Sequence, residues 1–213
     1  MNTLTAPLRE SSTKREILLL LKKLGSTTIQ EMSEHLGVTG MAVRKHVNAL
    51  KKDNYIQSST IRQHIGRPTY IYSLTDLAEQ LFPTQYDVLS LELMEEINHM
   101  FGELFVDELF KRRRKRLEQK YRLAMTGQNF EEKIVTLAKI QDNAGYMTSL
   151  VKIHDDKYSL EEGNCPIFQV ASRYRQACQC ELAMFESLLD SRVERKECIA
   201  DGGTKCSFTF ENI

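Results

Sequence analysis

Apolar residues recur at helical spacing in three short blocks near the start of the chain. Residues 12–23 begin with Ser/Thr cap candidates, carry Ile17, Leu18, Leu20 and Leu21 on one stripe and end near Gly25, which predicts a first helix. Residues 29–36 follow Thr27 and Thr28 and stop at Gly37, predicting a second. Thr39 then caps a third helix that runs to about Lys52, with Met41, Val43, Val47 and Leu50 as its core-facing set. The period then changes to two. Residues 55–62 and 69–74, with alternation such as Tyr70 and Tyr72, flank the polar turn Gln63-His64-Ile65-Gly66-Arg67-Pro68 and predict a β-hairpin.

Further along, residues 85–122 contain no Pro and only Gly102, with Leu89, Leu93, Ile97, Met100 and Leu104 three and four apart, which predicts one long helix. A second stripe, Met94, Phe101, Phe105 and Leu109, makes the apolar face wide enough for both its own domain and a second subunit; a plain intradomain core helix is the alternative. Beyond it the pattern predicts a helix over 130–141, strands over 146–154 and 157–161, a helix over 168–189, and strands over 193–199 and 206–210 joined by Asp201-Gly202-Gly203. The expected fold class is α+β: a winged helix-turn-helix domain at 1–80, a dimerisation or linker helix at 81–125, and an α/β cysteine-containing domain at 126–213.

Only Gly37 and Val38 separate the second and third helices, and a tight Gly-containing turn between two short amphipathic helices is the helix-turn-helix pattern. The following hairpin supplies a wing. Thr39, Gly40, Ala42, Arg44, Lys45, His46 and Asn48 lie off the core-facing stripe of the third helix; the polar ones can bond base edges or phosphates, and Gly40 and Ala42 permit close approach to a groove. Arg67 in the Gly-Arg-Pro wing tip is placed for a minor groove or a phosphate. An ordinary solvated helix face is the competing reading for each residue taken singly. Charge favours a polyanion: the net charge of zero divides into eleven Lys/Arg against seven Asp/Glu over residues 1–80 and the reverse excess after them. Lys111 to Arg116, six consecutive cations, read as a solvated helix face or a phosphate contact, not as sequence readout. Double-stranded DNA bound by a homodimer is the expected partnership, since one such module covers a half-site.

The 213 residues are 41% hydrophobic and 27% charged, the balance of a folded globular protein. No run approaches the ~20 apolar residues that span a bilayer and no signal-like segment opens the chain, so no membrane partner and a cytoplasmic location are expected. There is no G-x-S-x-G, P-loop, H-E-x-x-H or G-x-G-x-x-G, and no catalytic residue is assigned; the chain is not expected to be an enzyme. All five cysteines, Cys165, Cys178, Cys180, Cys198 and Cys206, fall in the last 49 residues. In a reducing compartment such crowding suggests metal or redox chemistry, and the absence of C-x-x-C requires a site assembled from distant segments. Cys178 and Cys180, about 200° apart on a helix, should not both face it. Buried core cysteines are the alternative.

The N-terminal segment SEHLGVTGMAVRKHVNALKKDNYI with GRPTYIYSLT resembles winged-helix bacterial transcription regulators. The segment from Asn164, with Cys165, twelve residues, Cys178, a Glu-Leu-x-x-Phe, a Val-x-Arg strand, a Gly-containing turn and Cys206-x-Phe, is similar to the C-terminal region of the SufR family. That family comprises iron-sulfur-sensing repressors of cluster-assembly genes. The resemblance implies a [4Fe-4S] or [2Fe-2S] cluster held by Cys165, Cys178 and Cys206. Some relatives carry a further Cys between the last two, near the place where this chain has Arg192 and Val193, which leaves Cys180 or Cys198 as the possible fourth ligand. With three thiolates one iron is left to solvent or a small ligand, and its loss would loosen the domain and alter DNA binding. A zinc- or thiol-redox-responsive regulator using the same cysteines is the alternative.

Overall fold

The computed structural model describes residues 12–61 and 68–212, which divide into two units after Thr84. In the N-terminal unit, α1 (Thr13–Leu24) is capped by Ser12 and ends at Gly25, whose N–H donates to the Leu21 carbonyl at 2.8 Å. A two-residue strand, β1 (Ser26–Thr27), leads into α2 (Ile29–Leu36). Thr28 and Glu31 form a reciprocal capping box there: the Thr28 N–H donates to Glu31 Oε2 at 2.8 Å and the Glu31 N–H to Thr28 Oγ1 at 3.2 Å. The Thr27 hydroxyl, donating to Glu31 Oε2 at 2.7 Å, and then the Thr28 N–H and hydroxyl hold the Glu31 carboxyl below the usual carboxylate range. Thr28→Ala is therefore expected to lower the stability of this unit by about 1 kcal/mol, read as a reduced melting temperature.

Gly37, at φ +63°, turns the chain into α3 (Gly40–Lys52). The wing strands β2 (Ile56–Ile61) and β3 (Thr69–Leu74) pair antiparallel, and β1 joins the far edge of β3. A short helix, α4 (Asp76–Glu79), closes the unit. Its core packs Ile17, Leu18 and Leu21 against Met32, Val43, Val47, Leu50 and Ile56. Met41, expected in that core, is 79% exposed. It lies two residues, or about 200°, from Val43 and so points away from the buried 43/47/50 stripe.

The expected single helix over 85–122 is two helices, α5 (Tyr86–Phe101) and α6 (Glu103–Ala124), because Gly102 adopts φ +81° and leaves the right-handed region. Val106 and Phe110 are buried, and Met94 and Ile97 pack against the core. Leu89, Leu93, Met100, Phe101 and Leu104 remain exposed. After α7 (Phe130–Asn143), the strands β4 (Thr148–His154), β5 (Lys157–Glu162), β6 (Ser191–Glu197) and β7 (Cys206–Asn212) form an antiparallel sheet in the order β4-β5-β7-β6.

The helix expected over 168–189 is likewise interrupted. It forms α8 (Phe168–Ala171) and α9 (Gln176–Leu189), separated by a turn anchored through tertiary contacts: Tyr174 stacks near Phe110, and Arg175 pairs with Asp201 at 2.7 Å. The period-two alternation of β5 and β7 sends Tyr158, Leu160 and Glu162, and Cys206, Phe208 and Phe210, into the core. Phe185 of α9 meets Phe208 edge-on, with centroids 5.1 Å apart.

Candidate nucleic-acid interface and cysteine centre

The turn from α2 to α3 is fixed locally. Ser33 Oγ donates to the Val38 carbonyl at 2.6 Å, and Thr39 caps α3 by accepting from the Ala42 N–H at 3.3 Å. Burial of Val43, Val47 and Leu50 leaves Thr39, Arg44, Lys45 and Asn48 exposed, with Gly40, Ala42 and His46 half-buried beside them. Among the described residues neither Arg44 nor Lys45 has a salt-bridge partner, so both cations are available to a polyanion. At the other end of α3, Lys51 donates to Ser58 Oγ at 2.7 Å and ties the helix to the wing. Arg67 lies outside the described residues.

In the C-terminal unit all five cysteines are free thiols. Cys165 precedes α8, Cys178 sits in α9, Cys198 follows β6 and Cys206 opens β7. Cys178 Sγ and Cys198 Sγ are 3.9 Å apart, and both residues are buried. The Cys206 sulfur accepts from the N–H of Ile199, the residue after Cys198, at 3.4 Å. Burial, then the neighbouring Cys198, pushes the thiols of Cys178 and Cys206 up to about 12. Cys165 is raised mainly by burial, then by the Glu181 and Glu162 charges, while the Ile167 N–H lowers it. Cys180 lies elsewhere: burial raises its thiol, while Arg114, Lys111 and Arg113 of α6 lower it. Half a turn of helix thus separates a thiol facing other thiols from one facing the basic run. Within that run, Arg114 pairs with Glu118 and Arg112 with Glu108.

The turn joining β6 to β7 brings Cys198 and Cys206 together. The Gly203 N–H donates to the Cys198 carbonyl at 3.0 Å, and Glu197 Oε1 accepts from the Thr204 N–H at 2.6 Å. Beside Cys206 is a feature the sequence reading did not single out. Glu162, its cross-strand partner, is fully buried. Glu162 Oε1 accepts from Gln141 Nε2 at 3.0 Å, the same amide reaches Glu181 at 3.3 Å, and Glu162 Oε2 has no hydrogen-bond partner. Burial first, then the Glu181 charge, raises its carboxyl to about 8. The alternation Tyr158, Leu160, Glu162 was the available signal that this carboxylate points inward.

Among the described residues no three His, Cys, Asp or Glu side chains meet as a set that holds a single metal ion directly. The donor chemistry nonetheless fits a thiolate-held group, since three buried thiols and the half-buried Cys165 draw on separate elements, with Cys198 Sγ 3.9 Å from Cys178 Sγ and the Ile199 N–H beside it bonded to Cys206 Sγ.

No curated protein matches the sequence. Among solved structures the chain is similar to wild-type ZitR of Lactococcus lactis in complex with DNA, at 22% identity over 51% of this chain and 77% of that one, with a TM-score of 0.29. It is also similar to the adhesin competence repressor AdcR of Streptococcus pyogenes, at 22% identity over 48% and 78%, with a TM-score of 0.29. Diamide-treated YodB of B. subtilis aligns at 13% identity over 45% and 86%, with a TM-score of 0.30. These overlaps are too loose to speak for function. Residues 10–57, which run through α1 to the start of the wing, match the model of a winged helix-turn-helix DNA-binding family.

Proposed function

We propose that this protein is a homodimeric transcriptional repressor whose affinity for DNA is set by an iron-sulfur cluster in its C-terminal unit, held by Cys165, Cys178 and Cys206. The observation that carries this reading is the gathering of thiols from separate elements in a chain that also carries a winged helix-turn-helix. When bound, such a cluster supplies an oxidant- and iron-sensitive centre. The chain's own part is to exclude water from Cys178 and Cys206 and to fix them through the β6–β7 turn and α9. Because the thiols lie on different elements, loss of their common partner would relax the packing among α9, β6 and β7.

Holo protein, reconstituted anaerobically, is expected to bind its operator more tightly than apo protein in a salt-controlled titration, as a repressor of cluster-assembly genes requires. Equal affinities would refute the sensing role. One observation favours a second reading. Tetrahedral zinc–thiolate bonds of about 2.3 Å place neighbouring sulfurs about 3.8 Å apart, close to the 3.9 Å between Cys178 and Cys198. The visible spectrum separates the two, since zinc is colourless.

Two further outcomes test the DNA-binding dimer. Arg44→Ala is expected to relax preference at one base pair by about 1–3 kcal/mol if the guanidinium reads guanine, measured by titrating single-base operator variants. An unchanged preference removes Arg44 from the readout. The apolar residues left exposed on α5 and at the start of α6 suit burial against a second copy. Met100→Glu, at a position 70% exposed, is expected to shift sedimentation from dimer towards monomer. A wild-type monomer at micromolar concentration would contradict the interface.

A further inference from the structure

Resting on the iron-sulfur reading above, we propose that Cys198 is the fourth thiolate of the site, and that Cys180 takes no part in it. Cys198 sits between two of the others: its sulfur is 3.9 Å from that of Cys178, and the Ile199 N–H that follows it donates to the Cys206 sulfur at 3.4 Å. It is 5% exposed, follows β6 and opens a turn. That turn serves the pairing. Ile199–Asp201 coil into a 3-10 turn, Gly202 takes φ +91°, and the Gly203 N–H returns to the Cys198 carbonyl, so that the chain doubles back and Cys206 arrives beside Cys198.

Cys180 fails the same geometric test. It projects from the side of α9 that faces Lys111, Arg113 and Arg114, about 200° around the helix from Cys178. Glu162 is the other group within the neighbourhood, buried, with an unpartnered Oε2 and paired across the strands with Cys206. Its second oxygen is already engaged by Gln141, and thiolate is the ligand that iron-sulfur clusters select. Four protein thiolates saturate the site. A cluster so held has no iron open to an exogenous ligand, so the switch is whole-cluster loss by oxidation or iron withdrawal, not ligand exchange at one iron.

The test is anaerobic reconstitution of the full chain and of the Cys198→Ser, Cys180→Ser and Glu162→Gln variants. Bound iron and acid-labile sulfide are read after desalting, together with the rate of iron transfer to a chelator. Loss of a direct ligand should weaken retention by about tenfold or more, at least the effect of removing an outer partner of a metal ligand. Cys198→Ser is expected to lose iron and sulfide and to release iron faster. Cys180→Ser and Glu162→Gln are expected to match the wild type.

Wild-type retention by Cys198→Ser overturns the proposal, as does a loss confined to Glu162→Gln or Cys180→Ser. If Cys198→Ser does not fold, as judged by circular dichroism of the apo protein, iron-edge X-ray absorption of the wild-type holo protein decides. All-sulfur coordination supports four thiolates, whereas an oxygen or nitrogen ligand overturns them. A wild-type chain that takes up no iron and sulfide, or Cys165→Ser, Cys178→Ser and Cys206→Ser variants that keep a normal cluster, would instead defeat the underlying iron-sulfur reading.

Discussion

Phe208→Ala is expected to destabilise the C-terminal unit by about 3–5 kcal/mol, the range for removing a fully buried aromatic ring from a core that only partly collapses. Phe208 has no exposed surface and sits between Phe185, at 5.1 Å, and Phe210, at 6.4 Å between ring centroids. It also stands two residues beyond Cys206 on the same inward face of β7, so its loss loosens the strand that carries a candidate ligand. Domains of ordinary stability hold only about 5–15 kcal/mol in reserve. Urea unfolding of the apo protein under reducing conditions should show a large drop in midpoint, and a change below about 1 kcal/mol would mean the aromatic cluster is not the centre of the unit.

Gly203→Ala should deform the β6–β7 turn. A Cβ built on Gly203 falls 2.6 Å from Glu197 Cγ, 2.8 Å from Glu197 Oε1 and 2.9 Å from the Cys198 carbonyl oxygen. The Glu197 side chain can swing away only by releasing the Thr204 and Lys205 N–H groups that it accepts from, and the carbonyl belongs to backbone beside a proposed ligand. Overpacking of this kind costs about 1–3 kcal/mol. The expected result is a lower melting temperature together with poorer cluster retention. Gly163→Ala is the control. Its Cβ would find nothing nearer than the Met147 carbonyl oxygen at 3.7 Å, so ordinary contact results and stability should hold or rise slightly. Equal behaviour of the two variants would show that the turn tolerates an alternative path.

The N-terminal module was legible because each of its decisions is local. Thr28 and Thr39 cap, Gly37 turns, and the 43/47/50 stripe selects the buried face within one helix. Met41 is apolar and adjoins the stripe in sequence, yet its angle on the helix turns it to solvent. In the C-terminal unit the strands are legible from alternation, but the inward face that carries Glu162 and both helix breaks are not. Gly102 is one glycine in a long apolar pattern, and the interruption after Ala171 is imposed by Tyr174 and Arg175 reaching Phe110 and Asp201, far away in sequence. The cysteine centre was legible as a set of residue types and not as an arrangement. Sequence spacing separated Cys178 from Cys180, yet the meeting of Cys178 with Cys198 depends on how α9 lies over β6, which no local pattern encodes.

On the iron-sulfur reading proposed above, that dispersal also governs when the chain would acquire its ligand field. A C-x-x-C motif places two donors on one flexible loop, so an unfolded polypeptide can chelate with it. Here Cys165, Cys178, Cys198 and Cys206 are scattered across 42 residues, and the last three come near one another only through α9 and the β6–β7 turn. The unfolded ensemble therefore offers weak chelation at best, and nearly all of the binding free energy goes into holding the native state. On that reading a newly made chain would have to fold before it is loaded, and a loaded chain would resist unfolding in proportion to the logarithm of how far the supply exceeds the dissociation constant. Lifetime in the cell would then follow iron and sulfide availability, giving the protein's abundance a dependence on the same supply, separate from any change in its grip on DNA.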